Sequence, residues 1–235
     1  MKVAILLADH IPSHRHCYSG GDYPNMFANL FLQTSLIVDI DVYDVTVGEY
    51  PSDATIYDAF IITGSKASAF DDQHWILHLK HRIQRYYHLG KKLIGICFGH
   101  QILASALGGE VRRSTKGWTV GIETVQMIIE KPWMNPFTDY ISLVFYHQDQ
   151  IIRLPKQAQL LATNTISPVQ MFCIEDQVLG IQAHPEMLKA HNHQLLHEFQ
   201  QTIETQFHRA VDSLRVRDHG KMVGHWILNF IMHKE

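Results

Sequence analysis

Two rhythms of apolar and polar positions alternate along the first half of the chain. Residues 2–8 (KVAILLA) form an apolar run of the kind a strand buried on both faces shows. A helical pattern follows over residues 23–36. Residues 39–46 (DIDVYDVT) read as a second strand, with the period-two alternation of Ile40, Val42 and Val45 partly kept, and residues 59–64 (AFIITG) as a third. Residues 71–90 predict an amphipathic helix, because Trp75, Ile76, Leu79, Ile83 and Tyr86 recur near the helical period. Asp71 and Asp72 stand at its expected start and Gly90 at its expected end. Residues 92–96 (KLIGI) are a fourth strand, and a helix opens at Gly99.

Strands that alternate with helices imply right-handed crossovers and parallel pairing. From Gly108 to Ala183 the rhythm changes to short strand-like segments, GEVRRS, GWTVGIETVQMII, SLVFY, QLLAT, VQMFCIE and QVLGIQA, which predict an antiparallel extension. Two helical stretches follow Met187. Leu195, Leu196, Phe199, Ile203 and Phe207 mark the first, and Val223, Trp226, Ile227, Phe230 and Ile231 the second. The expected fold is α/β: a mostly parallel central sheet flanked by helices, with a small antiparallel extension and helices over residues 187–235 packed on it. No repeat, low-complexity tract or Pro/Gly/Ser-rich linker interrupts the chain, so one domain over residues 1–235 is expected.

Composition narrows the function. The 235 residues are 46% hydrophobic and 18% charged, ordinary for a globular protein able to bury a core. The formal net charge of -3 and the lack of a basic block give no reason to expect a nucleic-acid partner. No apolar run is long enough for a membrane span, and the N-terminus lacks the pattern of a signal peptide. Three cysteines, Cys17, Cys97 and Cys173, cannot all pair and show no disulfide spacing. A cytoplasmic, reducing setting is therefore expected.

Cys97 sits where strand turns into helix, between Gly95 and Gly99. That is the mechanical logic of a nucleophile elbow, which exposes the side chain at the carboxyl end of the sheet and removes side chains where strand and helix close up. A helix N-terminus favours thiolate, and the N–H of Phe98 just after it would serve as an oxyanion donor. A thiolate needs a base, and the base an orienter. In GIQAHPEM, His184 and Glu186 are two apart at the end of a predicted strand, on one side of it, with Pro185 stiffening the pair. A carboxylate on one imidazole nitrogen sets the tautomer and turns the other nitrogen toward the sulfur. Each feature alone has a plainer explanation, since a buried cysteine is ordinarily a small hydrophobe and seventeen histidines make chance His-x-Glu pairs common.

The wording GICFGHQ with AHPE resembles the class I glutamine amidotransferases, whose nucleophile motif reads G-x-C-x-G-x-Q with a later H-P-E. The segments GDYPNMF, ITGSKAS, DDQHWI, KGWTVGI and YHQDQI look like free-standing members related to the GMP synthetase glutaminase domain and the γ-glutamyl peptidases. The resemblance implies the flavodoxin-like amidotransferase fold and a Cys97–His184–Glu186 triad. Cys97 would attack a γ-glutamyl amide to form a thioester, with His184 as base and acid and Glu186 holding it. The oxyanion would sit between the Phe98 N–H and one from the Gly64–Ser65 turn, where many relatives have two glycines. Gln101 matches a contact to the glutamyl portion, and His147, Gln148 and Asp149 align with the loop that reads the α-amino and α-carboxylate groups. The chemistry calls for no cofactor and no metal. The histidines of HRHC and HNHQLLHE lack zinc-site spacing, and RRSTKGW is a small basic patch near the expected site.

Three readings follow. About fifty residues after the triad are too few for an ATP-using acceptor domain, which favours a free-standing hydrolase or transferase of γ-glutamyl amides. The second is the glutaminase subunit of a two-chain amidotransferase, passing ammonia to a synthase partner. The third is a catalytically silent binding or regulatory protein, against which the intact Cys97, His184 and Glu186 argue.

Overall fold

The computed structural model describes residues 1–34 and 36–233. Its parallel half follows the predicted rhythm: β1 (Lys2–Leu7), β2 (Asp39–Asp44), β3 (Ala59–Ile62) and β4 (Lys92–Ile96) pair in parallel, and β11 (Val178–Ile181) joins them beside β4. Because successive side chains point to opposite faces of a strand, each strand feeds two cores. Val3, Ile5, Ile61 and Ile94 pack with Phe27 of α2 (Tyr23–Leu32) and with Trp226 and Phe230 of α7 (Gly220–Met232). Ala4, Leu6, Phe60 and Ile62 pack on the other side with Ile76, Leu79 and Ile83 of α3 (His74–His88) and Ile102 of α4 (Phe98–Ala106).

The antiparallel part is larger than the small extension expected. It continues the same sheet through β10 (Met171–Ile174), β9 (Gln159–Thr163), β6 (Thr119–Met127) and β7 (Tyr140–His147), in the order β2-β1-β3-β4-β11-β10-β9-β6-β7. A separate ribbon pairs β5 (Glu110–Arg113) with β8 (Asp149–Arg153), a strand the sequence pattern did not reveal. It sets Arg113 opposite Asp149.

Several boundaries differ from expectation for local reasons. The helix expected over residues 23–36 ends at Leu32, because the N–H and hydroxyl of Thr34 both bond the Phe31 carbonyl, at 2.9 and 2.7 Å; Ser35 lies outside the described residues. The helix expected from Asp71 begins at His74, since the Asp71 carboxylate instead takes the Ser68 N–H at 3.0 Å in the preceding turn. Gly90, expected as its end, has φ +70 there. The first C-terminal stretch is two helices, α5 (Lys189–Glu198) and α6 (Phe207–Ser213), while α7 follows the second. The chain turns after Phe199, so that Ile203 and Phe207 join Leu196 and Val120 in a satellite core. Lys234 and Glu235 lie outside the described residues. A four-residue helix α1 (His16–Ser19) packs against α5. Among the described residues no helix is long and apolar enough to cross a membrane.

β1 connects to β2 on one side and, after the chain returns, β3 lies on its other side. The carboxyl ends of β1, β3, β4 and β11 thus open on a crevice at a topological switch point, where open α/β sheets carry their sites.

Candidate active site

Cys97 belongs to the sheet and to the helix at once. Its N–H bonds the Ile181 carbonyl of β11 at 2.9 Å, while its own carbonyl accepts the Gln101 N–H at 3.1 Å. One residue can make that turn only through a strained backbone, and Cys97 has φ 54 and ψ -102, rare for a residue with a side chain. The flanking glycines have the role the spacing suggested. A Cβ on Gly95 would stand 2.3 Å from the Gly99 carbonyl, and one on Gly99 2.2 Å from the Ile62 carbonyl oxygen. The helix thereby lies directly on β3 and β4, with Cys97 at its N-terminus.

His184 and Glu186 lie beyond the end of β11 rather than on it, so their common orientation comes from a turn and not from strand periodicity. The Met187 N–H closes that turn on the His184 carbonyl, and the His184 N–H bonds the Val144 carbonyl at 2.8 Å, fastening it to β7. The Nδ1 of His184 meets the Glu186 Oε1 at 2.7 Å, with both side chains buried. Burial by itself disfavours the imidazolium. The Glu186 carboxylate, the Cys97 sulfur and hydrogen bonds to both outweigh it and push His184 up to about 10. Cys97 and Glu186 thus both reach the His184 imidazole.

They open on a cavity of about 630 Å³. Gly64 follows β3 and stands so close to the imidazole that a Cβ there would be 2.9 Å from His184 Cε1. Ser65 lines the same wall. Phe98 buries its ring beside Trp75, leaving its N–H in the first turn of α4, where no intrahelical acceptor exists. Gln101 also lines the cavity; its Nε2 donates to the Asp149 carbonyl at 2.8 Å and to Gln182 Oε1 at 3.1 Å. The segment expected to be a loop is the junction of β7 and β8. His147 Nδ1 bonds the Asp149 carbonyl at 2.9 Å, Gln148 faces the cavity, and burial pushes His147 down to about 4, so that its ring is neutral.

Sequence reasoning missed what holds Asp149. Its carboxylate accepts from the Ser68 hydroxyl and, at 3.2 Å, from Arg113 Nε. The basic patch of the sequence therefore enters the site through one arginine, brought there by the β5–β8 pairing. Also missed was an aromatic margin of Trp118, Tyr146 and Phe199, with Trp118 and Tyr146 ring centres 5.4 Å apart and the Arg15 guanidinium 5.4 Å from the Phe199 centre. Its members come from β7 and from the segments before β6 and after α5, so no local sequence signal joins them.

Comparison with known proteins identifies the family. The family described as "Glutamine amidotransferase class-I" matches residues 26–203. Gamma-glutamyl peptidase 3 of Arabidopsis thaliana is 34% identical over 177 residues, 72% of this chain and 70% of that protein. The glutamine-hydrolyzing GMP synthase of Aeropyrum pernix is 37% identical over 99 residues, 42% of this chain and 19% of the synthase. The crystal structure of a glutamine amidotransferase from Thermotoga maritima superposes with a TM-score of 0.75, covering 98% of this chain and 96% of that one at 19% identity, a likeness of fold. The chain belongs to the class-I glutamine amidotransferase family.

Proposed function

We propose that the chain cleaves γ-glutamyl amide bonds through a thioester on Cys97. The observation that carries this reading is the strained Cys97 turn at a helix N-terminus, in contact with a buried His184 that Glu186 holds at 2.7 Å. Cys97 Sγ attacks the γ-carbonyl carbon while its proton passes to His184, and the C=O electrons move onto oxygen. The Phe98 N–H and an N–H of the Gly64–Ser65 turn receive that oxyanion. On collapse the C–N bond breaks, His184 protonates the leaving nitrogen, and the γ-glutamyl thioester remains. A water gives its proton to His184 and attacks the thioester. The C–S bond then breaks, the thiol regains a proton, and glutamate leaves. The charge of Glu186 favours the imidazolium that forms when His184 takes the thiol proton, which suits delivery of that proton to the departing amine. Gln101, His147 and Gln148 surround the glutamyl group, and Asp149, fixed by Ser68 and Arg113, faces its ammonium.

The size of the cavity favours a peptide or other bulky amine as leaving group. Ammonia occupies about as much space as one water, roughly 30 Å³. The cavity is 630 Å³ and continues past Cys97 to Trp118, Tyr146 and Phe199, within the range of about 300–1,000 Å³ typical of sites for much larger ligands. A second reading, the glutaminase subunit of a two-chain enzyme passing ammonia to a synthase, draws on the similarity to the GMP synthase. Glutamate release by the purified chain separates the two. Cys97-dependent turnover of a γ-glutamyl dipeptide without a partner supports the free-standing hydrolase. Turnover of glutamine alone supports the glutaminase, and no turnover of either, with Cys97 unreactive to alkylation, contradicts both.

A further inference from the structure

Tyr23 lines the cavity that holds the nucleophile, and neither the motifs nor the proposed chemistry gives it a task. It stands at the first position of α2, its ring packed among Met26, Met187 and Leu195 and 8% exposed. Its hydroxyl reaches the cavity beside Cys97 and His184. A Cβ on Gly64 would be 3.2 Å from that oxygen and 2.9 Å from His184 Cε1, so phenol and imidazole edge meet over the Gly64 Cα. The Tyr23 oxygen opens on the cavity and makes no hydrogen bond to another described residue, whereas the hydroxyls of Tyr43 and Tyr57 bond each other and Tyr57 bonds Asp41.

The hydroxyl is held in place with care. Asp22 caps α2 in a reciprocal box with Asn25, and its Oδ1 accepts the N–H groups of Tyr23 at 2.8 Å and Ile11 at 2.7 Å. His10 bonds the other Asp22 oxygen at 2.8 Å and Asp44 at 2.9 Å, tying the start of α2 to the ends of β1 and β2. Burial, with Glu186, Asp9, Cys97 and Asp22 nearby, holds the phenol well above its ordinary pKa. The group is therefore a permanent donor and no base. Negative charge around it also makes a developing oxyanion unfavourable unless donors are aimed at it.

We infer that the Tyr23 hydroxyl is a catalytic residue that donates a hydrogen bond to the oxygen of the tetrahedral intermediate, beside the N–H groups of Phe98 and the Gly64–Ser65 turn. The inference rests on the proposed γ-glutamyl chemistry and deepens it. No bond to Tyr23 is made or broken: its proton stays on the phenol, shared with the oxyanion while that charge exists. A side-chain donor over Gly64 supplements the N–H groups of that turn.

Tyr23→Phe removes the oxygen and keeps the ring. The expected result is a fall in kcat of about 10²-fold with KM little changed, since removing one oxyanion donor costs that order. Affinity for an aldehyde analogue of glutamate, which adds to Cys97 as a hemithioacetal, falls in parallel, while alkylation of Cys97 by iodoacetamide keeps its wild-type rate. If Tyr23→Phe is poorly folded, 3-fluorotyrosine at position 23 supplies the readout: its fluorine resonance shifts when the aldehyde adds to Cys97 and the phenol bonds the new oxygen, and a resonance unchanged by the adduct overturns the inference. Wild-type kcat and aldehyde affinity in Tyr23→Phe, beside an active wild-type chain, overturn the inference alone. A wild-type chain that releases no glutamate and binds no aldehyde overturns the γ-glutamyl reading and the role of Tyr23 with it.

Discussion

Replacing Cys97 by glycine should leave the chain more stable than replacing it by alanine, although both changes abolish the thiol. Cys97 has φ 54 and ψ -102, and that ψ lies well away from the left-handed helical region near about +47°. A side chain held so far from the allowed wells costs of order 3 kcal/mol. Glycine adopts this conformation freely, but it gives back roughly 0.7 kcal/mol through the greater freedom of its unfolded chain. Losing the buried Cβ costs it about a further 0.8 kcal/mol. The balance favours glycine by about 1.5 kcal/mol, which for a chain of this size raises the melting temperature by about 3–6 °C. Differential scanning calorimetry of the two variants at one pH and concentration measures this directly, because the lost sulfur contacts cancel between them. Cys97→Gly melting below Cys97→Ala would refute the claim that the elbow stores strain.

Gly99→Ala would push a Cβ to 2.2 Å from the backbone oxygen of Ile62, which cannot swing aside as a side chain could; it should cost at least about 2 kcal/mol in chemical denaturation and slow alkylation of Cys97. The raised pKa of His184 predicts a kcat that holds through neutral pH and falls near pH 10. Glu186→Gln removes the largest contribution raising that pKa and should move the alkaline limb to lower pH. The sign for stability is the same: the folded state favours the imidazolium, so this contribution is complete below the ordinary histidine pKa near 6.5 and is lost as pH rises through about 10. Burial works the other way on three neutral histidines, pushing His100 down to about 3 and His147 and His191 to about 4. Between pH 6.5 and those values the unfolded chain binds more protons than the folded one, so urea midpoints should drop steadily as pH falls through that window. A midpoint unchanged between pH 7 and 4 would contradict the burial of neutral rings.

What the sequence disclosed was what lies close along the chain. Gly95, Cys97 and Gly99 announce the elbow because all their constraints fall within one strand–helix junction. His184 and Glu186 were legible as a pair for the same reason, although a turn braced on Val144 orients them, not the strand invoked from their spacing. The remainder depends on contacts far apart in sequence. Arg113 reaches Asp149 only through the β5–β8 pairing across 36 positions, and β8 is too short and too mixed in polarity to stand out as a strand. The aromatic margin joins Trp118, Tyr146 and Phe199 only after β6, β7 and α5 have packed. Tyr23 was visible in GDYPNMF but not its purpose, since nothing local says that the start of α2 lies over Gly64.

The central claim is that Cys97 carries the γ-glutamyl group, and the most direct test is to trap it there. The purified chain, mixed with a γ-glutamyl dipeptide and quenched in acid within a turnover, should yield a Cys97-containing peptide heavier by one γ-glutamyl group. The adduct should vanish on treatment with hydroxylamine and be missing from Cys97→Ala. Steady release of glutamate with Cys97 unmodified at every quench time, and undiminished in Cys97→Ala, would contradict the account.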